Sequence, residues 1–451
     1  MIHNELFQLP AWKIARSVIA GEVSAIDVAT SFLTRIKEIN PKVRAWTHLN
    51  ESYVIRQATR VLDTSCQGRL SGVPVGVKDI FNTEIFPTEM GSKVWKGHHA
   101  GNDARCLSYI RRDGGLIAGK TDTAEFAVHE AGEVLNPWGS GYTTGTSSGG
   151  SAVAVSTASV PISLATQTAG STIRPASWSG VYGMKPSFGM IPRTGILKTT
   201  DTLDNIGFHA RCNEDLRLSL DSLRVRGHNF PTMEKKLAEF GGLNKKVWSI
   251  GFLEGEYWAG APQYLQTAMT KLATDIDSLS YATVEPVELR FDSTSAKSLH
   301  ARLYNSCLAY YFRQEVDKSP ELISPRFMNL VEQGQKLSPK DYSSALREQT
   351  NFAKNLENLF EDKGYDFILH QSSDGAAPPG REPSEHNDYN LCWTLAWLPV
   401  ISIPAFCSPQ GLPYGFQIIG RRYSDYTMFK FLELLVSEGL APPLALIPPL
   451  T

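Results

Sequence analysis

A serine can serve as an acyl-transfer nucleophile when a base takes its proton and backbone N–H groups hold the oxyanion that follows. Two stretches of this 451-residue chain set serine among small residues: GTSSG at 145–149, which carries Ser147, and TAGS at 168–171, which ends in Ser171. Small residues ahead of a serine let successive N–H groups turn into one space. The connecting stretch 152–165 is too rich in small and apolar residues to lie on a surface, so the two turns can pack side by side. Upstream, GVPVGVKD at 72–79 places Lys78 among valines, where burial would favour the neutral amine.

Two pattern matches point elsewhere. Residues 114–121 (GGLIAGKT) satisfy the phosphate-loop spacing, but that loop must follow a strand and open a helix. Here Leu116, Ile117 and Ala118 read as a strand themselves, so Lys120 is expected to be structural at a strand end. Residues 145–149 also fit GxSxG, the turn that presents a serine in Ser–His–acid hydrolases. In that alternative Ser147 attacks, with His209, His370 or His386 as partner, although residues 139–144 make a poor entering strand.

The two turns and their flanks resemble the signature of the amidase signature family. GTSSGGSAVAVS at 145–156, followed by TQTAGSTIRPAS at 166–177, reproduces the family's 24-residue interval between Ser147 and Ser171. GVPVGVKD, GKTDTAEFA (119–127), NPWGS (136–140), GVYGMKPSFGMIPRTGI (180–196), LDNIGFHARCNEDL (203–216), LPVISIPA and GLPYGFQIIGRR follow in the family's order. The resemblance implies a Ser–cisSer–Lys amidohydrolase acting through an acyl-enzyme and needing no cofactor or metal. In it Ser171 is the nucleophile, Ser147 follows a cis peptide bond and relays the proton, and Lys78 is the neutral base. The N–H groups of Thr168, Ala169, Gly170 and Ser171 form the oxyanion hole. Two other activities use the same site: that of the A subunit of a glutamine-dependent amidotransferase, and that of a biosynthetic acyl transferase in which an amine replaces water. The segment Ser177-Trp178-Ser179 lacks the cysteine expected of the former.

Some positions depart from the family pattern. Thr146 and Ala169 stand where glycine is common, and Gln167 where aspartate is usual. Arg174 follows Ser171 by three residues instead of two. A hydrogen bond between Gln167 and Arg174 is the structural expectation; an Arg174 that grips a substrate carboxylate is the sharper alternative. Met90 and Trp178, with Trp138 and Trp393, are candidate pocket walls. Tyr304, Tyr310, Tyr311 and Phe312 are candidates too, although their near-helical spacing also suits a core.

These residues need elements to position them. Ser24 and Asp27 cap a helix whose apolar positions run to Ile39, where Asn40-Pro41 is expected to stop it. Strands are expected within 72–79 and 116–118, and near 397–406 and 414–419. Residues 132–151 read as a tight loop, and 214–365 as mostly helical, with 342–363 the clearest amphipathic run. The alternation predicts an α/β fold: a mixed, mostly parallel central sheet covered by helices on both faces, in one domain over 1–451. Residues 220–365, where the resemblance fades, are expected to shape the substrate pocket.

Bulk properties exclude other classes. Hydrophobic residues make up 42% and charged residues 20%, with a net charge of −2, so no field draws the chain to nucleic acid or acidic membranes. No apolar run reaches spanning length, and the start of the chain does not read as a signal peptide. Six dispersed cysteines suit a reducing compartment, so the expected location is cytoplasmic. A small-molecule amide is the expected partner, with a homodimer as the common assembly.

Overall fold

The computed structural model describes residues 3–63, 67–128, 132–226, 231–241, 247–289, 291–381 and 389–449. Cys66 and His386 lie outside them. Eleven strands form one sheet among the described residues. In chain order they are β1 (Trp46–Leu49), β2 (Pro74–Lys78), β3 (Leu116–Thr121), β4 (Ile162–Gln167), β5 (Tyr182–Lys185), β6 (Asn205–Ala210), β7 (Trp248–Phe252), β8 (Ala282–Pro286), β9 (Phe367–Gln371), β10 (Val400–Cys407) and β11 (Pro413–Gly420). Across the sheet the order is β1-β3-β2-β4-β6-β5-β10-β11-β9-β7-β8.

The sheet is mixed, as expected, but parallel pairing is confined to two blocks: β3-β2-β4 and β9-β7-β8. All six other neighbouring pairs are antiparallel, which corrects the expectation of a mostly parallel sheet. Every residue of β2, β3, β4, β5, β6, β9 and β11 is buried, the mark of strands covered on both faces. The parallel block of β3, β2 and β4 matters most for chemistry. Its three strands end on one side of the sheet, the side where α/β proteins gather their ligands.

Two element boundaries differ from the sequence reading. The helix Ala25–Val43, capped by Ser24 accepting from the Asp27 N–H at 3.0 Å, passes through Pro41 and ends at Arg44, whose φ is +51°. The buried stripe explains this, because Val43 continues the face of Ile36 and Ile39 and holds the last turn against the core. Within 214–365, β7 and β8 interrupt the helices and extend the sheet beyond β9. Each is a five-residue strand between longer helical runs, so neither dominates a window wide enough to show a period.

Candidate active site

The parallel block brings the site together. β2 ends in Lys78, β3 ends in Thr121 just before Thr123, and β4 runs through Thr166 into the 168–171 turn. The Lys78 side chain is 0% exposed. Its Nζ lies 2.8 Å from Ser147 Oγ, 3.0 Å from Ser148 Oγ and 2.9 Å from Thr166 Oγ1. Three hydroxyls thus fill its hydrogen-bonding directions, and no carboxylate forms an ion pair with it among the described residues. Burial pushes its pKa well below the ordinary lysine value, opposed only by the more distant charge of Asp204.

Ser147 is held from behind, its carbonyl accepting from Thr123 Oγ1 at 2.8 Å. Ser148 Oγ donates to the Thr166 carbonyl at 3.1 Å, tying this loop to the end of β4. The loop turns through two positive φ angles, +91° at Gly145 and +82° at Thr146. Only glycine fits at 145, because a Cβ there would lie 2.9 Å from Pro175 N and 3.1 Å from the Trp178 ring. No cis peptide bond occurs among the described residues, so the expected cis bond before Ser147 is corrected. The turn is made by the positive φ pair instead, and Thr146 is a β-branched residue in a region it rarely occupies.

Ser171 is partly exposed, in contrast to the buried Ser147 and Lys78. Its Oγ lies 3.4 Å from Thr146 Oγ1, and no hydrogen bond joins it to Ser147 Oγ among the described residues. Before it, the N–H groups of Thr168, Ala169, Gly170 and Ser171 make no hydrogen bond among the described residues. Their carbonyls and side chains are engaged: Thr168 Oγ1 donates to Asp204 Oδ1 at 2.9 Å, and Asp204 also accepts from the N–H groups of Thr199 and Thr200. Four N–H groups without a partner among the described residues, the serine's own included, with a buried lysine behind, suit acyl transfer.

A family model described as Amidase matches residues 27–429. The chain belongs to the amidase family. Amidase-family membership makes it an enzyme of amide C–N bonds. Over 95% of its length it is 25% identical to the A subunit of the glutamyl-tRNA(Gln) amidotransferase of Endomicrobium trichonymphae, 96% of which is covered. The corresponding protein of Clostridium acetobutylicum is 28% identical over 94% of this chain and 96% of its own. The amidase fold is shared with 6-aminohexanoate cyclic dimer hydrolase at a TM-score of 0.88, with 21% identity and 99% of both chains covered. It is shared also with the peptide amidase of Stenotrophomonas maltophilia, at 0.83 and 21% identity, over 98% of this chain and 99% of that one.

Several residues singled out in the sequence lie elsewhere. Gln167 does not pair with Arg174 through its carbonyl; Oε1 accepts from the N–H groups of Thr172 and Ile173 at 3.0 and 3.1 Å, and Nε2 donates to Thr394 Oγ1. It thus caps the short helix Ile173–Ser179, whose N-cap Thr172 offers no side-chain bond. Arg174 is buried with its guanidinium against Gly170, where a Cβ would meet Nη2 at 2.6 Å. Trp178 is a core residue, its indole N–H on the Gly375 carbonyl, and Trp393 is buried too. Trp138 donates to the Ser179 carbonyl at 3.0 Å. Met90 is buried, and its backbone links the Asp79 carbonyl to the Phe126 N–H. Tyr304 and Phe312 are core, whereas Tyr310 and Tyr311 line a cavity of about 670 Å³ together with Asp201, Cys307 and Tyr342.

The phosphate-loop pattern is structural. Lys120 Nζ is buried against Asp79 at 2.8 Å and donates to the carbonyls of Phe81 and Pro87, closing the end of β3. His209 meets the Thr172 carbonyl and His370 the Leu253 carbonyl, and neither forms a hydrogen bond with Ser147 among the described residues. Burial lowers His209 to about 4. Sequence reasoning missed Ser148, Thr166 and Asp204. The first two sit inside quoted signature segments, and Asp204 inside LDNIGF, but nothing local marked them as partners.

Proposed function

We propose that the chain hydrolyses an amide through an acyl-enzyme on Ser171, with Ser147 as proton relay and Lys78 as base. Ser171 Oγ bonds to the amide carbon while its proton passes through Ser147 to the Lys78 amine. The carbonyl oxygen becomes an oxyanion facing the N–H groups of residues 168–171. The C–N bond then breaks as the departing amine takes the proton back along the same path. Water adds to the acyl ester, Ser171 leaves, and a carboxylic acid is released.

One observation carries this reading. Lys78 is sealed from water among three hydroxyls, the setting in which a lysine gives up its proton and accepts another. The relay requires Ser171 Oγ to leave its 3.4 Å neighbour Thr146 Oγ1 and meet Ser147 Oγ, and catalytic hydrogen bonds commonly tighten on binding. Residues 220–365 supply Tyr310, Tyr311 and Tyr342 to the 670 Å³ cavity beside Asp201, a cavity that Lys78, Ser147 and Ser171 do not line.

Trapping with a fluorophosphonate and peptide mapping test the assignment in wild type, Ser171→Ala, Ser147→Ala and Lys78→Ala. Label on Ser171 that weakens without Ser147 or Lys78 is the expected result; label on Ser147 that ignores Lys78→Ala overturns it. The amidotransferase reading is favoured by the length of the match to amidotransferase A subunits. It predicts a stable partner on co-purification from the native host, and glutamine as the preferred amide.

A further inference from the structure

The 168–171 turn is held in an unusual way: three successive carbonyls each have a fixed donor. Thr168 O accepts from His300 Nε2 at 2.9 Å, Ala169 O from Thr394 Oγ1 at 2.9 Å, and Gly170 O from Arg174 N at 3.0 Å. In a trans peptide the carbonyl and the next residue's N–H point in opposite directions. Holding the three carbonyls therefore sets the directions of the N–H groups of Ala169, Gly170 and Ser171. The third donor is an ordinary helical bond. The first two are side chains brought from far along the chain, on the helices Ser293–Tyr311 and Asn390–Leu395.

We infer that His300 is a positioning residue for the oxyanion hole, clamping the Thr168–Ala169 peptide so that the Ala169 N–H stays aimed at the reacting carbonyl oxygen, with Thr394 doing the same for the next peptide. The inference rests on the Ser171 mechanism proposed above. Thr168 is only partly buried, so water could satisfy its carbonyl; instead a buried imidazole directs its N–H there. Burial lowers the His300 pKa and keeps the ring neutral, with the acceptor carbonyl placing the single proton on Nε2. Thr394 Oγ1 stands closer to Ala169 O than to Asn390 O, at 2.9 against 3.2 Å, and accepts from Gln167 Nε2. The cap of the following helix and the second clamp thus share one hydroxyl. Both residues bond loop carbonyls, so their effect reaches chemistry through the loop.

His300→Phe keeps the ring and removes the donor; His300→Gln restores an N–H at a similar reach. With a fluorophosphonate as probe, His300→Phe is expected to slow labelling of Ser171 about tenfold or more, since loss of one full donor costs about 10²–10³. His300→Gln should recover most of that rate. On any anilide that the wild type turns over, kcat should fall while KM stays within about twofold, the sign of an interaction made in the transition state. Thr394→Val, nearly isosteric, should repeat the pattern and stands in if His300→Phe fails to fold. Unchanged labelling in a folded His300→Phe, or no gain from glutamine over phenylalanine, overturns the clamp alone. Absence of label on wild-type Ser171 overturns the nucleophile assignment and the clamp with it.

Discussion

Lys78, Lys120 and Lys185 are all 0% exposed, and burial lowers the pKa of each in different surroundings. Lys120 faces a carboxylate, Asp79, at 2.8 Å; Lys185 donates to the Leu398 carbonyl; Lys78 meets only hydroxyls. Only the last arrangement joins the amine to serines that can carry a proton. In the proposed mechanism the base must be neutral, so kcat/KM is expected to rise with pH through the depressed Lys78 pKa and then level off, with its acid limb below the ordinary lysine range. Arginine stays charged at every accessible pH, so Lys78→Arg should lose about 10³-fold or more across the whole profile. A second prediction concerns the strained Thr146. Thr146→Gly relieves a φ of +82° and should raise stability by about 1 kcal/mol in chemical denaturation, after glycine's entropic cost is subtracted. The site residues legible in the sequence were those packed into short segments, where order and spacing add up. His300 and Thr394 were illegible because each bonds a backbone carbonyl far away in the chain, and a carbonyl leaves no mark in the residue type. The Gln167–Arg174 pairing failed for a related reason: neighbouring side chains suggested one another, while the amide had two closer backbone N–H groups.

Among the elements, strands and helices near the site were readable because Gly and Pro punctuate them and their apolar runs are sharp. β7 and β8 were not, being short parallel strands whose partners come from outside the segment. The helix Ser293–Tyr311, which carries His300, packs closely on the helix Pro325–Gln335. At the crossing, a Cβ on Gly334 would lie 1.9 Å from the Asn305 carbonyl oxygen, so one backbone would have to move. Gly334→Ala is therefore expected to destabilise the fold by about 1–3 kcal/mol, read from the denaturation midpoint. Asp204 shows the reverse economy of means: one carboxylate gathers Thr199, Thr200 and Thr168, so that the turn entering β6 and the turn leaving β4 are fixed together.

For the molecule as a whole, buried lysines make stability depend on pH. Lys185 is pushed down to about 7 by burial, against about 10.4 for a free lysine. Between those values the unfolded chain binds the proton that the native state lacks, so stability rises with pH across that window and the gain is lost as pH falls to about 7. Lys185→Met, which keeps the volume and removes the proton, should flatten the rise in denaturation midpoint between about pH 7 and 9. Among the described residues no helix is long and apolar enough to cross a membrane. The antiparallel seam between β5 and β10 has one more consequence. Lys185 pairs with Val400 and Gly183 with Ser402, partners roughly 200 residues downstream. At a ribosomal pace of roughly 5–20 residues per second, β5 waits about ten to forty seconds for the strand that covers it. During that interval the edge of β5 that faces β10 keeps its backbone N–H and C=O groups unpaired, and neighbouring ribosomes on one message could offer it the wrong mate.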